Sequence, residues 1–109
     1  MIDLKKMQKE IYDNKVNKGF NVTDLNKEFC LAYGEMSEAY DAWRKHKDDL
    51  GEELADVAIY LLGISEILNI NLEEEIFKKV NKNKHREYKI INGVNTRVKE
   101  YNEEDEKAN

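Results

Sequence analysis

Two pairs of acidic residues, Glu35 with Glu38 and Glu53 with Asp56, stand three residues apart in segments that are otherwise largely apolar. On a helix, that spacing projects both carboxylates of a pair from one face. The stretch "GEELADVAIYLLGISEILNI", residues 51–70, shows the anomaly best. At about 100° per residue Glu53 shares an arc with Val57, Tyr60, Ile64 and Leu68, so the pattern predicts that it is withdrawn from solvent. A carboxylate in such a place costs several kcal/mol unless it is protonated, paired or bound to a cation. Four converging carboxylates have the chemistry to hold a hard divalent ion. All-oxygen donors select Mg²⁺ or Mn²⁺, whereas zinc calls for His or Cys, and Cys30, His46 and His85 show no ligand-like spacing. A di-iron carboxylate centre is disfavoured as well, because neither histidine has a glutamate three residues before it.

Each pair taken alone has a plainer explanation. With 23 acids in 109 residues, i, i+3 acidic pairs arise by chance on solvated faces. Patterning therefore leaves open both a shared metal site and independent surface or salt-bridged carboxylates. Glu35 and Glu38 lie at the edge of a stripe made by Met36, Ala39 and Trp43. Ionised carboxylates about 4 Å apart repel by roughly 4 kcal/mol at an effective dielectric of 20, and a divalent cation relieves that repulsion. Further along, Lys79, Asn83 and Arg86 fall at i, i+4 and i+7 on one helical face. They could grip a polyphosphate or simply compensate the helix dipole. Trp43 and Tyr60, a turn or two from the acidic pairs, read either as core or as platforms for a nucleobase. Cys30 reads most simply as a small core residue.

The elements that must position these groups are helical. The chain has no proline, five glycines, 38% charged and 40% hydrophobic residues, which predicts an all-α fold of four to five helices. A first helix carries Ile2, Leu4, Met7, Ile11 and Val16 and stops at Gly19. A second opens with Thr23 as N-cap and presents Leu25, Phe29, Ala32, Met36, Ala39 and Trp43 as one apolar stripe. A capping box of Asp49 and Glu52 opens the third, which runs to about Asn69 and is expected to be buried on most of its circumference. Because "KHKDDLG" is a short link, the second and third helices should pack antiparallel and bring the two acidic pairs together. Asn71 caps a fourth helix through Tyr88, acidic first and basic later. Asn92-Gly93 among β-branched residues predicts either a small hairpin or a flexible tail, and the polar "KEYNEEDEKAN" closes the chain. The expected organisation is one helical domain over residues 1–89 and a C-terminal extension over 90–109.

A net charge of −5 argues against a nucleic-acid partner. No apolar run approaches the roughly 20 residues of a membrane span, and one cysteine cannot form an internal disulfide. The expectation is a cytoplasmic protein with no membrane partner. Three other short helices can hardly cover so apolar a third helix, so a partner subunit is expected.

Together, "GEMSEAYDAWRK", "EELADVAIYLLGISEILNINLEE" and "KKVNKNKHREY" resemble the MazG-like all-α nucleoside triphosphate pyrophosphohydrolases, in particular the branch that includes the deoxycytidine triphosphate pyrophosphatases. The resemblance covers residues 20 to 88, with the ExxE and ExxD pairs about 14 residues apart. It implies a MazG-like helical bundle that forms a homodimer or homotetramer. It also implies Mg²⁺-dependent cleavage of a (d)NTP to the monophosphate and pyrophosphate, in nucleotide-pool housekeeping. By the same resemblance Glu35, Glu38, Glu53 and Asp56 take the metal-ligand and catalytic positions, Lys79, Asn83 and Arg86 the phosphate contacts, and Trp43 and Tyr60 the nucleobase contacts. Where the family often has proline after the final tyrosine, this chain has Tyr88-Lys89. The alternative from another class is a catalytically silent bundle of the same fold that binds a nucleotide or a protein partner.

Overall fold

A computed structural model describes residues 1–99, and the acidic end of the predicted extension, residues 100–109, lies outside them. The chain divides after Leu72 into two units. In the first run three helices, α1 (Leu4–Asn17), α2 (Leu25–Arg44) and α3 (Leu50–Ile67).

Aspartates mark the helix starts. The Asp3 carboxylate accepts from the Lys6 N–H at 3.0 Å, and that of Asp24 from the Lys27 N–H at 3.2 Å. Asp24, not Thr23, is therefore the N-cap of α2, and Asn21 Oδ1 accepts from the Thr23 and Asp24 N–H groups in the preceding turn. Asp49 stands at the N-cap of α3 but makes no side-chain cap hydrogen bond. Its ψ of 15° departs from the extended backbone that aims a capping side chain, so the expected capping box does not form. All three helices end in the same way, with a left-handed residue after the C-cap: Gly19 (φ 71°), His46 (φ 55°) and Asn69 (φ 57°). The next residue's N–H then reaches back to a carbonyl five positions earlier, Phe20 to Lys15, Lys47 to Ala42 and Ile70 to Ser65. Orphan carbonyls are satisfied in each case, and only the first of the three stops uses glycine.

In this unit α3 is the central helix, packed against α1 on one side and α2 on the other. Gln8, 2% exposed, ties α1 to the end of α3 by donating to Glu66 and to the Ile70 carbonyl and accepting from the Leu72 N–H. The buried apolar residues are few: Ala39, Ala42, Leu62 and Ile64. The expectation that α3 is buried most of the way round is not met in the single chain. Leu54, Leu61 and Leu68 are 42–50% exposed and, with exposed Ala58, form one heptad-spaced stripe. The apolar stripe expected on α2 splits into two faces. Leu25, Ala32, Ala39 and Ala42 turn inward, while Phe29, Tyr33, Met36, Tyr40 and Trp43 form an outward stripe of alternating four- and three-residue steps. Cys30 is exposed and does not belong to the core.

The second unit begins at Glu73. Helix α4 (Leu72–His85) enters it and has no buried residue. It is followed by strands β1 (Glu87–Ile91) and β2 (Val94–Lys99), an antiparallel pair joined by Asn92 (φ 53°) and Gly93 (φ 79°). Two consecutive positive φ angles make this a type I′ turn, the connection whose twist suits a two-residue hairpin. Helix four thus ends three residues earlier than its basic run suggested. Tyr88, Ile90 and Ile91 pair with β2, and Tyr88 lies on a strand rather than on the helix. No helix among the described residues is long and apolar enough to cross a membrane.

Candidate metal centre

The inward face of α2 carries Leu25, Glu28, Ala32, Glu35, Ala39 and Ala42, so two of its six positions are glutamates. Their surroundings differ sharply. Glu28 is 1% exposed and is neutralised by the Lys15 ammonium of α1, with a second hydrogen bond from Asn21 Nδ2 at 3.2 Å. Burial holds the Lys15 ammonium below the usual lysine range. One heptad further on, Glu35 meets other acids instead of a lysine. Glu35, Glu38 and Glu53 each offer a carboxylate oxygen within 4.8 Å of the others. The antiparallel turn from α2 into α3 makes this possible, because it places the later half of α2 beside the first turns of α3.

The electrostatics of the three are those of an uncompensated cluster. Burial, then the charges of Glu38, Asp56 and Glu53 together with a hydrogen bond to Glu38, raise the Glu35 carboxyl above its ordinary 4.5. Glu53 is raised by burial first and then by Glu38, Asp49, Asp56 and Glu52. Oε2 of Glu35 and Oε2 of Glu53 are both buried without a hydrogen-bond partner. A buried acceptor of this kind calls for a proton donor or a cation. The donor set is oxygen only, part-buried and strongly negative, and it fits a hard divalent ion such as Mg²⁺. Asp56 raises the pKa values of Glu35, Glu53 and Tyr60, but its carboxylate is not one of the three that converge.

Tyr60 links this cluster to a second feature. Burial first, then the charges of Glu35, Asp56 and Glu38, push its phenol above the ordinary range. Its ring also lines a cavity of about 340 Å³ between α1 and α3, with Ile11, Asn14, Lys15, Phe20 and Ile59 among the other walls. Lys15 Nζ sits 5.3 Å from the Tyr60 ring centroid. The cavity is mostly apolar with a few polar groups, which is the character of a small-molecule pocket. Sequence reasoning singled out Tyr60 but missed Asn14, Lys15 and Phe20, since nothing in the spacing of α1 says which of its faces meets α3.

Trp43 is not a wall of that cavity; it is 60% exposed near the end of α2, tilted against Tyr40 at a centroid distance of 6.1 Å. In the second unit, Lys79 and Asn83 lie on α4, and Arg86 follows its last residue. The Arg86 guanidinium donates to Asn83 Oδ1 at 3.1 Å, so these two side chains are fixed to one another. Comparisons with protein-family models, with curated proteins and with solved structures found no match to this chain. The family resemblance therefore rests on the sequence motifs alone.

Proposed function

We propose that this chain is a Mg²⁺-dependent nucleoside triphosphate pyrophosphohydrolase of the MazG-like kind, converting a (d)NTP into the (d)NMP and pyrophosphate. The observation that carries this reading is the convergence of Glu35, Glu38 and Glu53, with two of their oxygens buried and partnerless. These three, joined by Asp56, would hold the metal. When bound, it would neutralise the triphosphate and lower the pKa of a coordinated water. Glu38, the exposed member of the three, would accept the proton of a water that attacks the α-phosphorus as its bond to the bridging oxygen breaks. Lys79, Asn83 and Arg86 would contact the phosphates and offset the charge of the departing pyrophosphate. The Tyr60 cavity suits the nucleobase, with Phe20 as a stacking surface and the Asn14 amide as a hydrogen-bonding group.

A homodimer or homotetramer belongs to the same reading. The outward stripe of α2, Phe29 through Trp43, and the exposed leucines of the α3 stripe are apolar groups that a partner subunit would cover. The setting proposed is the cytoplasm, where an exposed, unpaired Cys30 stays reduced.

The deciding experiment is turnover of a panel of (d)NTPs with Mg²⁺, scoring pyrophosphate separately from phosphate, for the wild type, Glu53→Gln and Asp56→Asn. Pyrophosphate release by the wild type and its loss in both variants is the expected result. Intact hydrolysis in either variant at saturating metal refutes the assignment, and nucleotide binding without turnover across the whole panel favours the silent-bundle alternative.

A further inference from the structure

From residue 76 to Lys99 the chain carries eight lysines and arginines and a single acid, Glu87. The next ten residues reverse this, with Glu100, Glu103, Glu104, Asp105 and Glu106 against Lys107. The fold brings Lys99, the last described residue, back to the basic element. Strand β2 runs back along β1 and pairs Lys99 opposite Glu87, two residues after the end of α4. The described chain thus ends at the base of the hairpin, beside the basic C-terminal turn of α4. Ten extended residues reach about 33 Å, whereas the fourteen residues of α4 span about 21 Å, so the acidic run can cover the whole cationic half of the helix.

That half is open to it. Helix α4 has no buried residue, and whereas Lys78 pairs with Glu74 at 3.1 Å, Lys79, Lys82 and Lys84 make no ion pair with another described residue. We propose that the acidic segment Glu100–Glu106 docks on the α4 face bearing Lys79, Lys82 and Lys84 and competes there with the phosphates of the substrate. The competition rests on the reading of Lys79 as a phosphate contact; the docking does not. The cationic half of a second copy's α4 is a poor occupant because like charges repel. The acidic segment complements the charge and is tethered, which gives it an effective concentration in the millimolar range. Contacts of this kind are screened by salt over roughly 10 Å at 0.1 M.

Two measurements test this. Zero-length carbodiimide coupling of the full chain, mixed as isotopically labelled and unlabelled protein and mapped by mass spectrometry, should join Lys79, Lys82 or Lys84 to Glu103–Glu106 within one chain at 20 mM salt. The yield should fall at 300 mM. Absence of these links, or links only between chains, overturns the docking. In the second, metal-free tripolyphosphate is titrated into the full chain and into a chain ending at Lys99. Truncation should tighten binding by about tenfold at low salt, an advantage that a peptide of residues 100–109 added in trans removes. Equal affinity of the two forms overturns the competition. If neither form binds tripolyphosphate, the phosphate-contact reading of α4 fails and the competition with it, while the coupling result still decides the docking.

Discussion

Replacing Glu35 by glutamine should stabilise the metal-free protein, although the residue lies on the inward face of α2. Its carboxylate oxygen is within 4.8 Å of those of Glu38 and Glu53, and among the described residues no ion pair balances them as Lys15 balances Glu28. Two unit charges at that distance repel by about 3.5 kcal/mol at an effective dielectric of 20. Solvent screening at the mouth of the cluster and partial protonation reduce this, leaving about 1 kcal/mol for removing the Glu35 charge. For a domain of this size that corresponds to a rise in Tm of about 4–8 °C. Thermal melts by circular dichroism in EDTA should show this rise for Glu35→Gln. Magnesium should then raise the wild type by about 1.4 kcal/mol at ten times its dissociation constant and leave the variant nearly unmoved. A pH series provides the control. The folded Glu35 carboxyl titrates above its ordinary 4.5, so the stability owed to its protonated form is complete below that value and is lost as the pH rises through the raised folded value. The gap between wild type and variant should therefore close as the pH falls toward 4.5. If Glu35→Gln lowers the metal-free Tm, or if Mg²⁺ shifts both proteins equally, the like-charge account of this site is wrong.

Other expected outcomes follow from the same features. Lys15→Met leaves Glu28 buried without its cation and should destabilise the fold by about 3 kcal/mol, with Glu28→Gln milder because Asn21 can still donate to the side chain; urea titration of both variants checks the order. Met36→Asp with Tyr40→Asp places charge in the outward stripe of α2. Sedimentation equilibrium should show a lighter species than the wild type, and an unchanged mass in a folded double variant removes that stripe from the interface. Phe20→Ala opens one wall of the α1–α3 cavity and should raise KM for the preferred nucleotide about tenfold or more while kcat changes little; a fall in kcat alone argues against a base-binding role.

The helices and their ends were largely legible in the sequence. Apolar spacing located α1 through α4, Gly19 marked the first stop, and Asn92-Gly93 offered the hairpin as one of two readings, because these signals depend on backbone geometry within a few residues. The boundaries that were misread depended on competition. Thr23 lost the N-cap to Asp24 because it is the Asp24 carboxylate that reaches the Lys27 N–H, and the basic run of α4 gave way after His85 because the following residues found a strand partner. The i, i+3 spacing of Glu35, Glu38, Glu53 and Asp56 was also visible, since it is fixed by the helical repeat alone. Spacing could not say which of the four converge, because that depends on the depth at which α2 meets α3, and the structure gathers three of them while Asp56 stays beside the group.

Two matters were decided by tertiary structure alone. The first is the contrast between Glu28 and Glu35, one heptad apart on the same inward face: one is neutralised by a lysine from α1 and the other is left among carboxylates. The second is the cavity, whose walls come from helices distant in sequence and whose Tyr60 also feels the acidic cluster. A sequence fixes which residues share a face of one helix, because 3.6 residues per turn is a local property. What stands opposite that face is set by how helices pack across the chain, and there the difference between a structural glutamate and a candidate metal ligand is made.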